Sequence, residues 1–211
     1  MNERAVRLKS ATVAIAVVTA LVSLMVSVGG NELAAATMGF IPARASGLID
    51  LPAAVPVWLT PFSATLVHSG LLHLILNLVM LVWVGAQVER VLGAANLLLA
   101  YLVGAVVAAA AQWLASPSSI SPMVGASGAI SALFGIYALL AARPKPVTGS
   151  ASLNRAIHAA WLLATWVVIQ WMTQMLAGGQ GVMLATPAHI GGFLAGLLLQ
   201  RPLLLLRYRT A

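Results

Sequence analysis

Residues 65–90 read TLVHSGLLHLILNLVMLVWVGAQVER: an apolar run that opens on His68 and His73, carries Asn77 one turn later and closes on Glu89 and Arg90. As a helix it is long enough to cross a bilayer core of roughly 30 Å, which takes about 20 residues. Hydrocarbon penalises unpaired hydrogen-bonding groups, so polar side chains inside such a run face a bundle interior rather than lipid. His73 and Asn77 are four apart and share one helix face.

Composition extends this reading to the whole chain. The 211 residues are 61% hydrophobic and 7% charged, with a mean hydropathy of +1.00, which excludes an ordinary soluble domain. Apolar stretches recur at roughly 10–29, 65–87, 94–114, 127–142, 155–177 and 183–200. The expected fold class is therefore an all-α membrane protein, a six-transmembrane-helix bundle, with residues 1–211 forming a single membrane domain. No internal repeat, soluble domain or low-complexity linker interrupts it.

The net charge of +7 does not point to nucleic acid, because the basic residues flank apolar segments instead of forming a tract. With six spans and a cytoplasmic N-terminus, Arg4, Arg7, Lys9, Arg90, Arg143, Lys145, Arg155, Arg201, Arg207 and Arg209 are all cytoplasmic, and only Arg44 is outside. Both termini are then expected in the cytoplasm. The first apolar run is too long for a cleaved signal peptide and is expected to be a retained helix. The connection from Gly30 to about Thr60 contains Pro42, Pro52 and Pro56 and is expected in the outer interface, with Trp58 as an anchor. Cysteine is absent, which excludes disulfides and thiolate chemistry.

Polar residues recur within the spans in three clusters: His68, His73 and Asn77 in HSGLLHLILN; Ser127 in GASG; and His189 in AHIGGFLAG. Counting back from the cytoplasmic charges at 1.5 Å per residue raises Ser127 about 24 Å, His73 about 25 Å and Asn77 about 20 Å. His189 stands about 18 Å above Arg201 or about 27 Å above Arg207. The four groups fit one layer, recessed below the outer surface. Ser127, Ser131 and Gly135 on the fourth span, and His189, Gly192 and Gly196 on the sixth, form small-residue stripes that allow close helix approach.

A serine hydroxyl needs an adjacent base, which His189 supplies, and the four acids Glu3, Glu32, Asp50 and Glu89 lie away from the layer. A Ser127–His189 dyad is the economical reading. Developing negative charge on an attacked carbonyl would be met by His73, Asn77 and the Ser127 backbone N–H. The three histidines lack an acidic or thiolate co-ligand, so a metal site is not expected. Glu89 is expected to stabilise the cytoplasmic end of the bundle, His158 to be interfacial, and Gln112, Gln170 and Gln174 to bond between helices.

These residues resemble the rhomboid family of intramembrane serine proteases. The resemblance rests on His68, His73 and Asn77 in the family's spacing, on the GxSG motif at Gly125, Ser127 and Gly128, and on the AHxxGxxxG motif at Ala188, His189, Gly192 and Gly196. Gly85 and Glu89 are similar to its GxxxE feature. It implies a six-helix fold, cleavage of transmembrane or membrane-proximal segments of single-span membrane proteins without a cofactor, catalysis by Ser127 and His189, and a role for His68 near the oxyanion. A bacterial inner membrane is the expected location; the oligomeric state is not legible. The chain departs from the family in having Leu59 after Trp58 where an arginine is common, and Ser131 where an aromatic often stacks on the histidine. A catalytically weak or inactive family member that binds transmembrane segments is the alternative, opposed by the presence of both Ser127 and His189. A solute or proton transporter predicts neither the GASG glycines nor the shared layer.

Overall fold

A computed structural model describes residues 10–140, 146–176 and 185–209. The readings that concern Arg4, Arg7, Lys9, Arg143, Lys145 and the side chains of Gln170 and Gln174 lie outside the described residues. Among the described residues the architecture is all helical; Phe40 and Met123 form an isolated antiparallel bridge.

The first long helix, α1, spans Ala11–Val28. The connection after it folds as α2 (Asn31–Met38) and α3 (Pro42–Ala45), then a 3-10 turn at Val57–Leu59, α4 (Thr60–Ser63) and a second turn at Ala64–Leu66. Trp58 is exposed there. The remaining helices are α5 (Leu71–Leu92), α6 (Ala94–Ala115), α7 (Ser127–Leu140), α8 (Ala151–Leu176) and α9 (Thr186–Arg207). By length and composition α1, α5, α6 and α9 can each cross a membrane, and α7 is apolar but shorter. At 1.5 Å per residue the described part of α7 is about 21 Å long.

Several boundaries differ from the sequence reading: α5 runs on to Leu92 rather than 87, and α8 begins at Ala151 rather than 155. The second span begins as a helix at Leu71, not near residue 65, because the preceding residues are committed elsewhere: His68 is bonded to Ser23 and to the turn before α7. The last span continues beyond residue 200 to Arg207 through Pro202. Proline there removes one backbone hydrogen bond, but Leu203 is buried in the core and its carbonyl accepts from Asn96 Nδ2 at 3.3 Å. Tyr208 also donates to the Val91 carbonyl, and Arg207 lies against Gly93 in the α5–α6 turn. Arg207 is thus level with the end of α5.

The helix that opens on Ser127 is the central one. α7 contacts α5, α6, α8 and α9, and every residue from Ala129 to Ile136, more than two full turns, is buried. Such a helix is apolar all round because no face meets solvent. Its glycines set how near the neighbours come. A Cβ on Gly192 would overlap the Gly128 carbonyl, one on Gly196 the Ala132 carbonyl, and one on Gly135 the Phe193 carbonyl. Hence α7 and α9 touch backbone to backbone.

α1 is fixed by the far end of α5. The Glu89 carboxylate accepts from Ser10 Oγ at 2.6 Å, Ala11 N at 2.8 Å, Thr12 N at 3.0 Å and Thr12 Oγ1 at 2.6 Å. A carboxylate at a helix N-terminus satisfies orphan donors and complements the dipole. Thr12 reaches it because Gly85 has no Cβ; one there would lie 2.7 Å from Thr12 Cγ2.

Candidate active site

Ser127 opens α7, so its backbone N–H has no partner within the helix. The turn that delivers it is pinned on several sides. Phe40 and Met123 exchange backbone hydrogen bonds at 3.0 and 2.8 Å, and Gly125 N–H donates to the Ala64 carbonyl at 2.9 Å. Gly125 has φ +108°, which disfavours any residue with a Cβ. A Cβ there would also lie 2.8 Å from His73 Nε2 and 3.8 Å from Ser127 Oγ. The histidine nitrogen and the serine hydroxyl therefore border the same small space.

His189 lies in the first turn of α9, and its Nε2 is 2.8 Å from Ser127 Oγ. Both residues are buried, 5% and 7% exposed. Hydroxyl to imidazole contact at this distance is what general-base activation requires. For Nε2 to accept the serine proton, the neutral ring carries its hydrogen on Nδ1. Nδ1 is buried without a hydrogen-bond partner among the described residues.

The other two histidines are held in definite tautomers by their neighbours. Ala126 N–H donates to His68 Nε2 at 3.4 Å, so neutral His68 carries its hydrogen on Nδ1. That N–H meets Ser23 Oγ at 2.8 Å, and the Ser23 hydroxyl donates to the Leu66 carbonyl at 2.7 Å. Ser69 N–H donates to His73 Nδ1 at 3.4 Å, with Ser69 Oγ at 3.1 Å from the same atom. Neutral His73 is left with Nε2–H, the nitrogen beside Gly125. The two rings contact edge to face, 4.9 Å between centroids. His68 therefore braces the turn, while His73 presents a donor to the space next to Ser127.

Asn77 is buried one turn below His73, its Nδ2 donating to the His73 carbonyl at 2.9 Å and its Oδ1 unpartnered. The second Nδ2 hydrogen is uncommitted in that arrangement. Ser127, His189 and the His73 ring thus border one small space, with His68 behind the turn and Asn77 one turn below His73. Gly192 and Gly196 serve the α7–α9 contact that brings nucleophile and base together, whereas a Cβ on Gly128 would meet Ala108 of α6.

Two other polar residues singled out in the sequence lie apart from the site. Gln112 is buried with Oε1 unpartnered, and His158 is half-buried at the start of α8. No group of three or more His, Asp and Glu among the described residues is arranged to hold a metal ion. Three side chains near the site were not foreseen: Ser23 and Ser69, which fix histidine tautomers, and Trp166 of α8, whose ring meets His189 with centroids 6.4 Å apart.

The family model for the Rhomboid domain matches residues 56–205. Among curated proteins, the chain is 32% identical over 188 residues to the Rhomboid protease GlpG of Pectobacterium atrosepticum, covering 89% of this chain and 60% of that protein. It is also 32% identical over 137 residues to the Rhomboid protease GlpG of Yersinia pestis, covering 65% of this chain and 45% of the relative. The chain therefore spans between about half and three-fifths of the length of these relatives.

Proposed function

Because the chain belongs to the rhomboid family, we propose that it is an intramembrane serine endopeptidase in which Ser127 is the nucleophile and His189 the general base. The observation that carries the reading is the 2.8 Å contact between Ser127 Oγ and His189 Nε2 inside a helix bundle. Ser127 Oγ attacks the scissile carbonyl as its proton passes to His189 Nε2, and the carbonyl π electrons move onto oxygen. His73 Nε2–H, Asn77 Nδ2–H and the Ser127 N–H meet that oxyanion. Loss of one donor of this kind typically costs about 2.7–4 kcal/mol of transition-state stabilisation. When the tetrahedral centre collapses, the peptide C–N bond breaks and imidazolium donates its proton to the leaving amine. Water then attacks the Ser127 ester with His189 again as base, releasing the carboxylate product and restoring the hydroxyl.

The substrates on this reading are single-span membrane proteins whose segment enters laterally from the bilayer. A fully hydrogen-bonded helix hides its carbonyls, so cleavage falls where small or helix-breaking residues loosen the backbone. Residues 1–211 act as one membrane domain with six spans, α7 and α8 completing the four long apolar helices. Both termini face the cytoplasm of a bacterial inner membrane. A fluorophosphonate probe tests the chemistry: a single adduct mapped to Ser127, lost in His189→Ala, supports the dyad. An adduct elsewhere, or equal labelling of His189→Ala, rejects it, and a folded protein that neither labels nor cleaves would be a binding member of the family.

A further inference from the structure

Trp166 is buried in α8, 2% exposed, and its ring is gripped from several directions. Phe134 stacks on it, with centroids 4.4 Å apart and planes at 27°. Its indole N–H donates to Ser131 Oγ at 2.6 Å, and the Ser131 hydroxyl donates to the Ser127 carbonyl at 2.7 Å. The directions of both bonds are fixed, since indole is only a donor and the single hydroxyl proton is committed to the carbonyl. The chain of bonds links α8 to the backbone of the residue that carries the nucleophile.

His189 meets this immobilised ring edge to face, with planes at 72° and centroids 6.4 Å apart, within the range of favourable aromatic pairs. His189 is also the histidine whose nitrogen away from the site, Nδ1, has no hydrogen-bond partner among the described residues. His68 and His73 each have that nitrogen bonded, to Ser23 and Ser69. Orientation of the His189 ring must then come from packing.

We propose that Trp166, tethered through Ser131, is the positioning residue for His189, an inference that rests on the dyad reading. The indole holds the imidazole in the plane that keeps Nε2 on Ser127 Oγ. Ser131 sets the indole and the Ser127 carbonyl in register with one hydroxyl.

The test uses the full-length protein in liposomes and compares Ser131→Ala, Trp166→Phe and the double variant. The readouts are kcat and KM on a single-span substrate and the rate of fluorophosphonate labelling, with thermal unfolding alongside. The small probe needs no admission of a substrate helix, so its rate reports the dyad itself. Each single variant is expected to lower labelling and kcat roughly three- to tenfold, the worth of one hydrogen bond, with KM changed less than about twofold. The double variant is expected to be no worse than the poorer single, because both remove the same bond. Should Trp166→Phe fail to fold, Ser131→Ala, which retains every ring, carries the test alone. Labelling at the native rate or faster in folded Ser131→Ala overturns the proposal, as do losses that add in the double variant. Ser127→Ala and His189→Ala in the same series separate the two readings: labelling that survives in them overturns the dyad. Labelling abolished in them but unchanged in Ser131→Ala overturns only the positioning role.

Discussion

Gly196 of α9 lies so close to Ala132 of α7 that a single added Cβ would overlap the Ala132 carbonyl oxygen. Together with Gly192 against Gly128, this contact fixes the separation of the helices carrying His189 and Ser127. Gly196→Ala must therefore push α9 outward. Overpacking of this kind costs about 1–3 kcal/mol, so the unfolding midpoint in detergent is expected to fall. Fluorophosphonate labelling is expected to drop further than stability, because Nε2 leaves Ser127 Oγ. Labelling at the native rate by a folded Gly196→Ala protein would mean that close helix contact does not set the dyad distance.

His73→Ala removes the donor that borders Gly125 and leaves the Ser127–His189 contact intact. On the mechanism proposed, kcat falls by about 10²–10³, with little change in the unfolding midpoint because His73 is only half-buried. A steady-state comparison at equal folded protein decides it, and a loss below about fivefold would remove His73 from the oxyanion role.

Gly125→Ala combines two penalties, a backbone at φ +108° and a Cβ against the His73 ring. The left-handed conformation alone costs an L-residue roughly 1–2 kcal/mol. Lower thermal stability and reduced kcat are both expected, whereas Gly70→Ala, at a site with open space around it, is expected to alter kcat little.

Glu89 serves the bundle at a distance from the recess. Glu89→Ala leaves the Ser10, Ala11 and Thr12 donors without their carboxylate. Loss of charge-assisted bonds of this type costs about 1.5–3 kcal/mol each before compensation by water, so the protein is expected to unfold at lower temperature. Its KM and kcat at a temperature where it remains folded are expected to match the native values; a large selective loss of kcat would assign Glu89 to the chemistry.

Much of this organisation is legible in the sequence because lipid enforces simple rules. Uncharged runs mark spans, and polar groups inside them mark the interior, which is how Ser127, His189, His73 and Asn77 stand out. Boundaries were less legible. Thr65, Leu66 and Val67 are as apolar as a helix start, but they form a 3-10 turn and a loop because His68 is bonded to Ser23 and Ala126. The last span reads as ending near residue 200, yet α9 runs through Pro202 to Arg207, with the Leu203 carbonyl bonded to Asn96. Ser23 had a readable signal in α1: Thr12, Ala16, Thr19 and Ser23 recur at helical spacing and are all buried. Trp166 had only a weak one, its recurrence seven residues after Ala159, also buried. Its meeting with Ser131 and His189 joins three helices and has no local pattern.

Whether Ser127 and His189 act as one catalytic unit is decided by turnover of a single-span substrate in liposomes by the native protein beside Ser127→Ala and His189→Ala. Product is expected from the native protein alone, with all three proteins folded to the same extent. Product formed at the native rate by either variant would contradict the dyad.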